Sequence, residues 1–189
     1  MRIITGSARG VSLFTLPGEA TRPTAERTKE AVFSMIQFDI EGRSVLDLFA
    51  GSGQLALEAL SRGAASAVLC DRSKDAINII KRNAEKTRLS DRCKIFSSDA
   101  QTLLGRLGEE RFDIVFLDPP YALKAIPGVL SSLIANNRIK PTSVIVCETA
   151  EFSDVFGSDA DLYEKFNVKK QVRYGAACVT IMSPKEACL

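Results

Sequence analysis

Apolar positions along this chain follow two periods. Short continuous apolar runs recur, and between them apolar residues fall three or four apart. The runs Ser44-Val45-Leu46-Asp47-Leu48, Ala67-Val68-Leu69-Cys70 and Cys93-Lys94-Ile95-Phe96 read as strands, as do Phe112-Asp113-Ile114-Val115-Phe116-Leu117 and Val144-Ile145-Val146-Cys147. Helices are predicted between them: from about Gln54 to Arg62, after an N-cap at Ser73 with Ile77, Ile80 and Ala84 on one face, and near Ala100 to Leu107. A fourth carries Ile126, Leu130, Leu133 and Ile134 at helical spacing. This alternation predicts an α/β fold with a Rossmann-like, mostly parallel sheet covered by helices.

The two ends depart from that rhythm. Phe166 to Arg173 and Ala177 to Met182 read as two strands joined at Tyr174-Gly175, a hairpin that would add an antiparallel strand to the sheet. At the other end, Arg2-Ile3-Ile4 and Val11-Ser12-Leu13-Phe14 could pair as a small hairpin around Gly6 to Gly10. Arg22-Pro23-Thr24 then leads into a helix with Val32, Phe33 and Ile36 facing inward. Residues 1–43 are too few for a core of their own. They read as an appendage of a single domain spanning 1–189.

Composition narrows the choices. With 189 residues, 46% apolar and 25% charged, the chain suits one domain with a sizeable core. No run approaches the roughly 20 apolar residues of a membrane helix. Met1-Arg2-Ile3-Ile4 opens without the apolar core of a signal peptide, so the expected location is the cytoplasm, with no membrane partner. Five cysteines (Cys70, Cys93, Cys147, Cys178, Cys188) form no C-x-x-C pair, and histidine is absent. A zinc site therefore has few ligands, no metal is expected, and Ser-His or Cys-His nucleophiles are excluded within the chain. Cys70 and Cys147 sit in apolar runs and read as buried thiols. A net charge of +2 neither requires nor excludes a nucleic-acid partner.

The chemistry concentrates at strand ends. Asp47-Leu48-Phe49-Ala50-Gly51-Ser52-Gly53 closes the first strand with a glycine turn that can approach a ligand closely. Gly51-Ser52-Gly53-Gln54-Leu55-Ala56 fits G-x-G-x-x-G/A, and Asp71 lies 20 residues beyond Gly51, where a carboxylate can accept ribose hydroxyls. A cofactor of adenosine type follows. Asp47 at the mouth of the loop would repel a pyrophosphate and attract the ammonium and sulfonium of S-adenosylmethionine, by several kcal/mol at about 4 Å in a partly dry site. That favours S-adenosylmethionine over NAD. Asp99-Ala100 ends the third strand; the carboxylate could accept the adenine amino group and the Ala100 amide could meet a ring nitrogen. An aspartate there also serves as a helix N-cap.

Asp118-Pro119-Pro120-Tyr121 follows the fourth strand. Two prolines stiffen the loop and present Asp118 and the Pro119 carbonyl in fixed geometry. An exocyclic base amine is a poor nucleophile, because its lone pair is delocalised into the ring. Two acceptors can hold its two hydrogens, aim the lone pair and stabilise the charge that grows on nitrogen. Tyr121 can stack on the base, which must leave its own stack to enter. If strands one and four flank the point where strand order reverses, both loops face one crevice.

With these residues in view, the chain resembles the RsmD family of bacterial 16S ribosomal RNA guanine-N2 methyltransferases. The likeness runs through Arg2-Ile3-Ile4-Thr5-Gly6, Arg9-Gly10, Thr21-Arg22-Pro23-Thr24, Arg27 and Glu30-Ala31-Val32-Phe33. It continues through the Asp47–Gly53 loop, Leu57-Glu58-Ala59-Leu60-Ser61-Arg62-Gly63-Ala64 and Asp118-Pro119-Pro120-Tyr121. The loop motifs are shared widely; the Arg-Pro-Thr segment joined to Leu-Glu-Ala-Leu-Ser-Arg-Gly-Ala is more specific. The resemblance implies methylation of guanine 966 at N2 on a small ribosomal subunit or an assembly intermediate. It also implies a seven-strand sheet, with Asp47, Phe49, Gly51, Ser52, Gly53, Asp71, Asp99 and Ala100 at the cofactor. Asp71 replaces the family's usual Glu, and Ala56 its usual Gly. Arg2, Arg9, Arg22, Arg27 and Lys29 are candidate RNA contacts, although Glu19, Glu26 and Glu30 interleave with them. Thr24 could alternatively line the cofactor pocket. Two other readings stay open on sequence: a DNA adenine-N6 or cytosine-N4 methyltransferase, and a non-catalytic module that holds S-adenosylmethionine or NAD.

Overall fold

The computed structural model describes residues 1–16 and 23–186, with side chains in the second stretch from residue 26 onward. Arg22, Thr24 and Cys188 lie outside what it describes at side-chain level.

The chain enters as an extended segment, then forms α1 (Pro23–Met35), β1 (Ser44–Asp47), α2 (Gln54–Ser61), β2 (Ser66–Asp71) and α3 (Lys74–Thr87). There follow β3 (Cys93–Ser97), α4 (Ala100–Arg106), β4 (Phe112–Leu117), α5 (Ile126–Ala135) and β5 (Ile139–Thr149). A short α6 (Ala160–Tyr163) precedes the closing strands β6 (Phe166–Tyr174) and β7 (Ala177–Pro184). One seven-stranded sheet results, in the order β3-β2-β1-β4-β5-β7-β6. All neighbours are parallel except β7, which runs antiparallel to both β5 and β6. The expected mostly parallel sheet with an antiparallel hairpin strand is therefore observed, and β1 and β4 are adjacent, as the crevice requires.

β4 explains the two-sided core. All six of its residues are buried, and successive side chains point to opposite faces. Ile114 and Phe116 join Phe33, Leu57 and Leu60 on one face. Val115 and Leu117 join Leu104, Val129 and Leu130 on the other. Each fully buried Leu or Phe contributes about 1.5–3 kcal/mol, so the central strand anchors both helical layers. At the opposite end of the strands from the crevice, Asp113 ties β1, β4 and β5 together. It accepts the Ser44 amide at 3.0 Å and the Lys140 ammonium at 2.8 Å.

Residues 1–43 share the core of the sheet. Ile3, Leu13, Val32, Phe33, Ile36 and Ile40 belong to the same buried cluster as β1 and α2, and the Phe33 ring lies 5.7 Å from Phe116. The expected N-terminal pairing is observed as a short antiparallel hairpin: Arg2 bridges Ser12, and backbone bonds run from Leu13 to the Met1 carbonyl and from Ile3 to the Val11 carbonyl, at 2.9 and 3.0 Å. The turn of this hairpin also docks on α2: Ser7 and Ala8 donate to the carbonyl and hydroxyl of Ser61. Gly6 makes that approach possible, because it sits at φ +89° and a Cβ there would fall 1.8 Å from the Ser61 carbonyl oxygen.

Candidate active site

The crevice opens where strand order reverses. Asp47 of β1 is in register with Phe116 of β4, so the Phe49 loop and Asp118 emerge side by side, about 4.8 Å apart as neighbouring strands. Phe49, Gly51, Asp71, Asp99, Ala100 and Asp118 line one cavity of about 750 Å³. Pro119, Pro120 and Tyr121 form its other wall. The structure thus brings together most of the cofactor and acceptor residues expected from sequence.

Gly53 caps α2 from the left-handed region, at φ +79°. That backbone favours glycine, and a Cβ would also crowd the Leu69 and Leu57 side chains at 3.3 and 3.4 Å. Asp71 fixes the turn before it: one carboxylate oxygen accepts the Gly51 amide at 2.9 Å and the other the Ser73 amide at 2.8 Å. A carboxylate offers about four acceptor directions, so ribose hydroxyls can still be met. Asp99 caps α4 by accepting the Thr102 amide at 2.9 Å, and hydrogen bonds from the Thr102 side chain and amide hold its pKa below the usual carboxylate range. It lines the crevice while capping the helix.

Asp47 is placed differently from the sequence expectation. It does not line the crevice wall; it lies beneath the loop, 1% exposed. Burial pushes its carboxyl up to about 7, against the amides of Ala56 and Phe49 that face it and together with the charge of Asp71. Neither oxygen has a hydrogen-bond partner of good geometry. Ser52 is also buried, with its carbonyl accepting from Asn83 at 2.8 Å.

Asp118 is half-buried, Pro119 buried and Pro120 exposed. The Tyr121 ring is 39% exposed, and its hydroxyl donates to Glu148 at 3.0 Å. Burial raises both groups above their ordinary values, the tyrosine further through the Glu148 charge. Glu148 escaped the sequence reading, although an acid closing the run Val144–Cys147 repeats the pattern of Asp47, Asp71 and Asp118. Leu16 and Arg72 also line the crevice; no sequence motif marks Leu16.

The basic N-terminal residues divide. Arg2, Arg9 and Arg27 are exposed. Arg9 belongs to the segment docked on Ser61, at the end of α2 remote from the crevice. Lys29 must be withdrawn as an RNA contact. It is 2% exposed, donates to the Arg2 carbonyl at 2.6 Å and pairs with buried Glu58 at 3.5 Å. Burial lowers its pKa and the Glu58 charge opposes that shift. Among the described residues no cluster of three metal-ligating side chains occurs, and no helix is long and apolar enough to cross a membrane.

The donor set suits a cationic ligand. Three carboxylates (Asp71, Asp99 and Asp118) line the cavity against one guanidinium at Arg72, and the buried Asp47 carboxylate lies beneath them. A pyrophosphate would meet the wrong sign of charge; a sulfonium and an ammonium meet the right one. This fold and crevice define an S-adenosylmethionine-dependent methyltransferase.

Relatives agree. Residues 1–183 match the family described as Conserved hypothetical protein 95. YlbH of Bacillus subtilis is 37% identical over 150 residues, 78% of this chain and 82% of that protein. Ribosomal RNA small subunit methyltransferase D of Haemophilus influenzae is 36% identical over 151 residues, 79% of this chain and 78% of that protein. The chain belongs to this RsmD family. The solved structure of yhhF from Escherichia coli superposes with a TM-score of 0.84 at 26% identity, covering 98% of each chain. At 14% identity SMU.776, solved in complex with SAH, shares the fold alone, with a TM-score of 0.66 over 86% of this chain and 50% of that one.

Proposed function

We propose that the chain methylates the exocyclic N2 amine of guanine 966 in 16S ribosomal RNA, within a small subunit or its assembly intermediate. The observation that carries this reading is the meeting of Asp118-Pro119 with the Gly51 turn in one crevice. The relative named for ribosomal RNA of the small subunit supplies the substrate class. It also disfavours the DNA reading.

S-adenosylmethionine supplies an electrophilic methyl group when bound. Asp71 is suited to the ribose, Asp99 and the Ala100 amide to the adenine, and buried Asp47 to the positive end of the ligand. On the acceptor side, the Asp118 carboxylate and the Pro119 carbonyl accept the two amine hydrogens. That fixes the nitrogen lone pair toward the Gly51 side and stabilises positive charge as it develops. Tyr121, its hydroxyl tied to Glu148, offers a ring for the extruded base. The methylated nitrogen becomes acidic and loses its proton to Asp118 or to water.

Incubation with labelled S-adenosylmethionine and small subunits lacking the modification tests the proposal. Label in N2-methylguanosine at position 966 is expected. Label at another base, or none in the particle, refutes it.

A further inference from the structure

The crevice accounts for one extruded base, but the strand carrying that base must lie somewhere. One side of α3 runs away from the crevice rim. Lys74, Asn78, Arg82 and Lys86 fall four apart along it, and all are exposed. Residues at i and i+4 stack on one helical face. At about 1.5 Å rise per residue the row extends roughly 18 Å. It begins beside Arg72 and Ser73, which line the crevice. The carboxylates of α3, Asp75 and Glu85, lie outside the row.

These cations are not neutralised by acidic partners. Among the described residues, none of Arg72, Lys74, Arg82 and Lys86 lies within ion-pair distance of a carboxylate. Lys74 opens the helix, where a positive charge opposes the helix dipole. An aromatic ring is held within the row. The Arg82 guanidinium stands 4.1 Å from the Phe14 ring centroid and the Lys86 ammonium 4.6 Å from it. Phe14 is 38% exposed.

The ring is held there from beneath. Asn83, fully buried on the inner side of α3, accepts the Phe14 amide at 2.8 Å. Its amide nitrogen donates to the Phe14 carbonyl at 2.9 Å and to the Ser52 carbonyl at 2.8 Å. One side chain therefore locks the Phe14 backbone both to α3 and to the cofactor turn.

We infer that the Lys74–Arg82–Lys86 row of α3, with Phe14 set into it, is a docking track for the single-stranded RNA flanking the target base. This rests on the RNA reading of the crevice. A row of unpaired cations fits a polyanion of regular charge spacing, and cations flanking an aromatic ring are the mixed platform on which single strands rest. The track leads from the rim, so a strand bound along it delivers its next nucleotide to the crevice.

The test is fluorescence anisotropy of a labelled single-stranded RNA oligonucleotide of about 12 nucleotides, titrated at several salt concentrations. Arg82→Glu/Lys86→Glu is compared with wild type, with the milder Arg82→Gln/Lys86→Gln, and with Lys169→Glu/Lys170→Glu on exposed positions of the opposite sheet edge. The α3 reversal is expected to weaken binding at least tenfold, and the neutral pair to lower the salt slope by about 1.4, for two lost contacts at roughly 0.7 each. S-adenosylmethionine affinity by calorimetry should stay unchanged, and the β6 pair should bind as wild type does. Wild-type-like binding by both α3 variants overturns the inference, as does an equal loss in the β6 pair. Weaker binding to small subunits with unchanged oligonucleotide binding would assign the row to a protein, and also overturns it. If the α3 result holds while wild type methylates no RNA, the track stands and the functional reading falls.

Discussion

The Asp71 carboxylate accepts the amide of Gly51 across 2.9 Å, so the tip of β2 and the turn after β1 are a single rigid piece. Hydrogen bonds to a charged group contribute about 1.5–3 kcal/mol each, and Asp71 makes a second one to Ser73. Asp71→Ala is expected to lower unfolding stability by about 2 kcal/mol and to weaken S-adenosylmethionine binding at least tenfold. Urea unfolding and calorimetry report the two effects separately. A loss of stability with intact cofactor affinity would confine Asp71 to the turn.

Asp47 couples the cofactor to pH. Its carboxyl is pushed up to about 7 in the fold, from an ordinary 3.8, chiefly by burial. Between those values the folded state keeps a proton that the unfolded chain has lost. The Asp47 contribution to stability is therefore fully present below about pH 4 and is lost as pH rises through 7, on the order of 4 kcal/mol at 1.36 kcal/mol per unit. Asp47→Asn should flatten that fall and raise the melting temperature of the ligand-free protein at about pH 7.5. Ionised Asp47 attracts a cation, so wild-type affinity for S-adenosylmethionine should tighten between about pH 5.5 and 7.5 and the variant's should not. Parallel curves for the two proteins would contradict this.

Glu58 holds the N-terminal segment. It is fully buried, accepts the amides of Ile4 at 2.7 Å and Thr5 at 3.0 Å, and pairs with Arg62 and Lys29. Removing one partner of a buried ion pair costs about 3–5 kcal/mol. Glu58→Gln should approach that loss in urea unfolding, while the salt slope of RNA binding stays unchanged. A changed slope would return Lys29 to the RNA surface.

Glu148 positions Tyr121 through its hydroxyl. Glu148→Ala should raise KM for the RNA several-fold with little change in kcat, and Glu148→Gln, which can still accept, should restore it. A matching fall in kcat for both variants would show that the carboxylate acts on the reaction itself.

Much of this was legible in the chain. β4 occupies the expected Phe112–Leu117, and α3 begins after the expected cap, where Ser73 accepts the Ala76 amide. Continuous apolar runs and local caps are short-range signals, and tertiary packing reinforced them. Lys29 was misread because Glu58, more than 25 residues away, takes up its charge. No local period reports a partner that distant. β5 extends to Ile139 although Pro141 and Thr142 interrupt its apolar run, because Ile139 pairs again with Phe112 beyond an irregularity in the ladder. Asp47, Asp71, Asp99 and Asp118 were recognisable as acids at strand ends, but only the sheet order shows which of them reach the cavity.

Single-turnover methyl transfer by Asp118→Ala, measured beside calorimetric S-adenosylmethionine affinity, tests the central claim most directly. The account predicts a rate loss of about 100- to 1,000-fold or more with cofactor affinity nearly unchanged. Near-normal transfer by a variant lacking that carboxylate would contradict it.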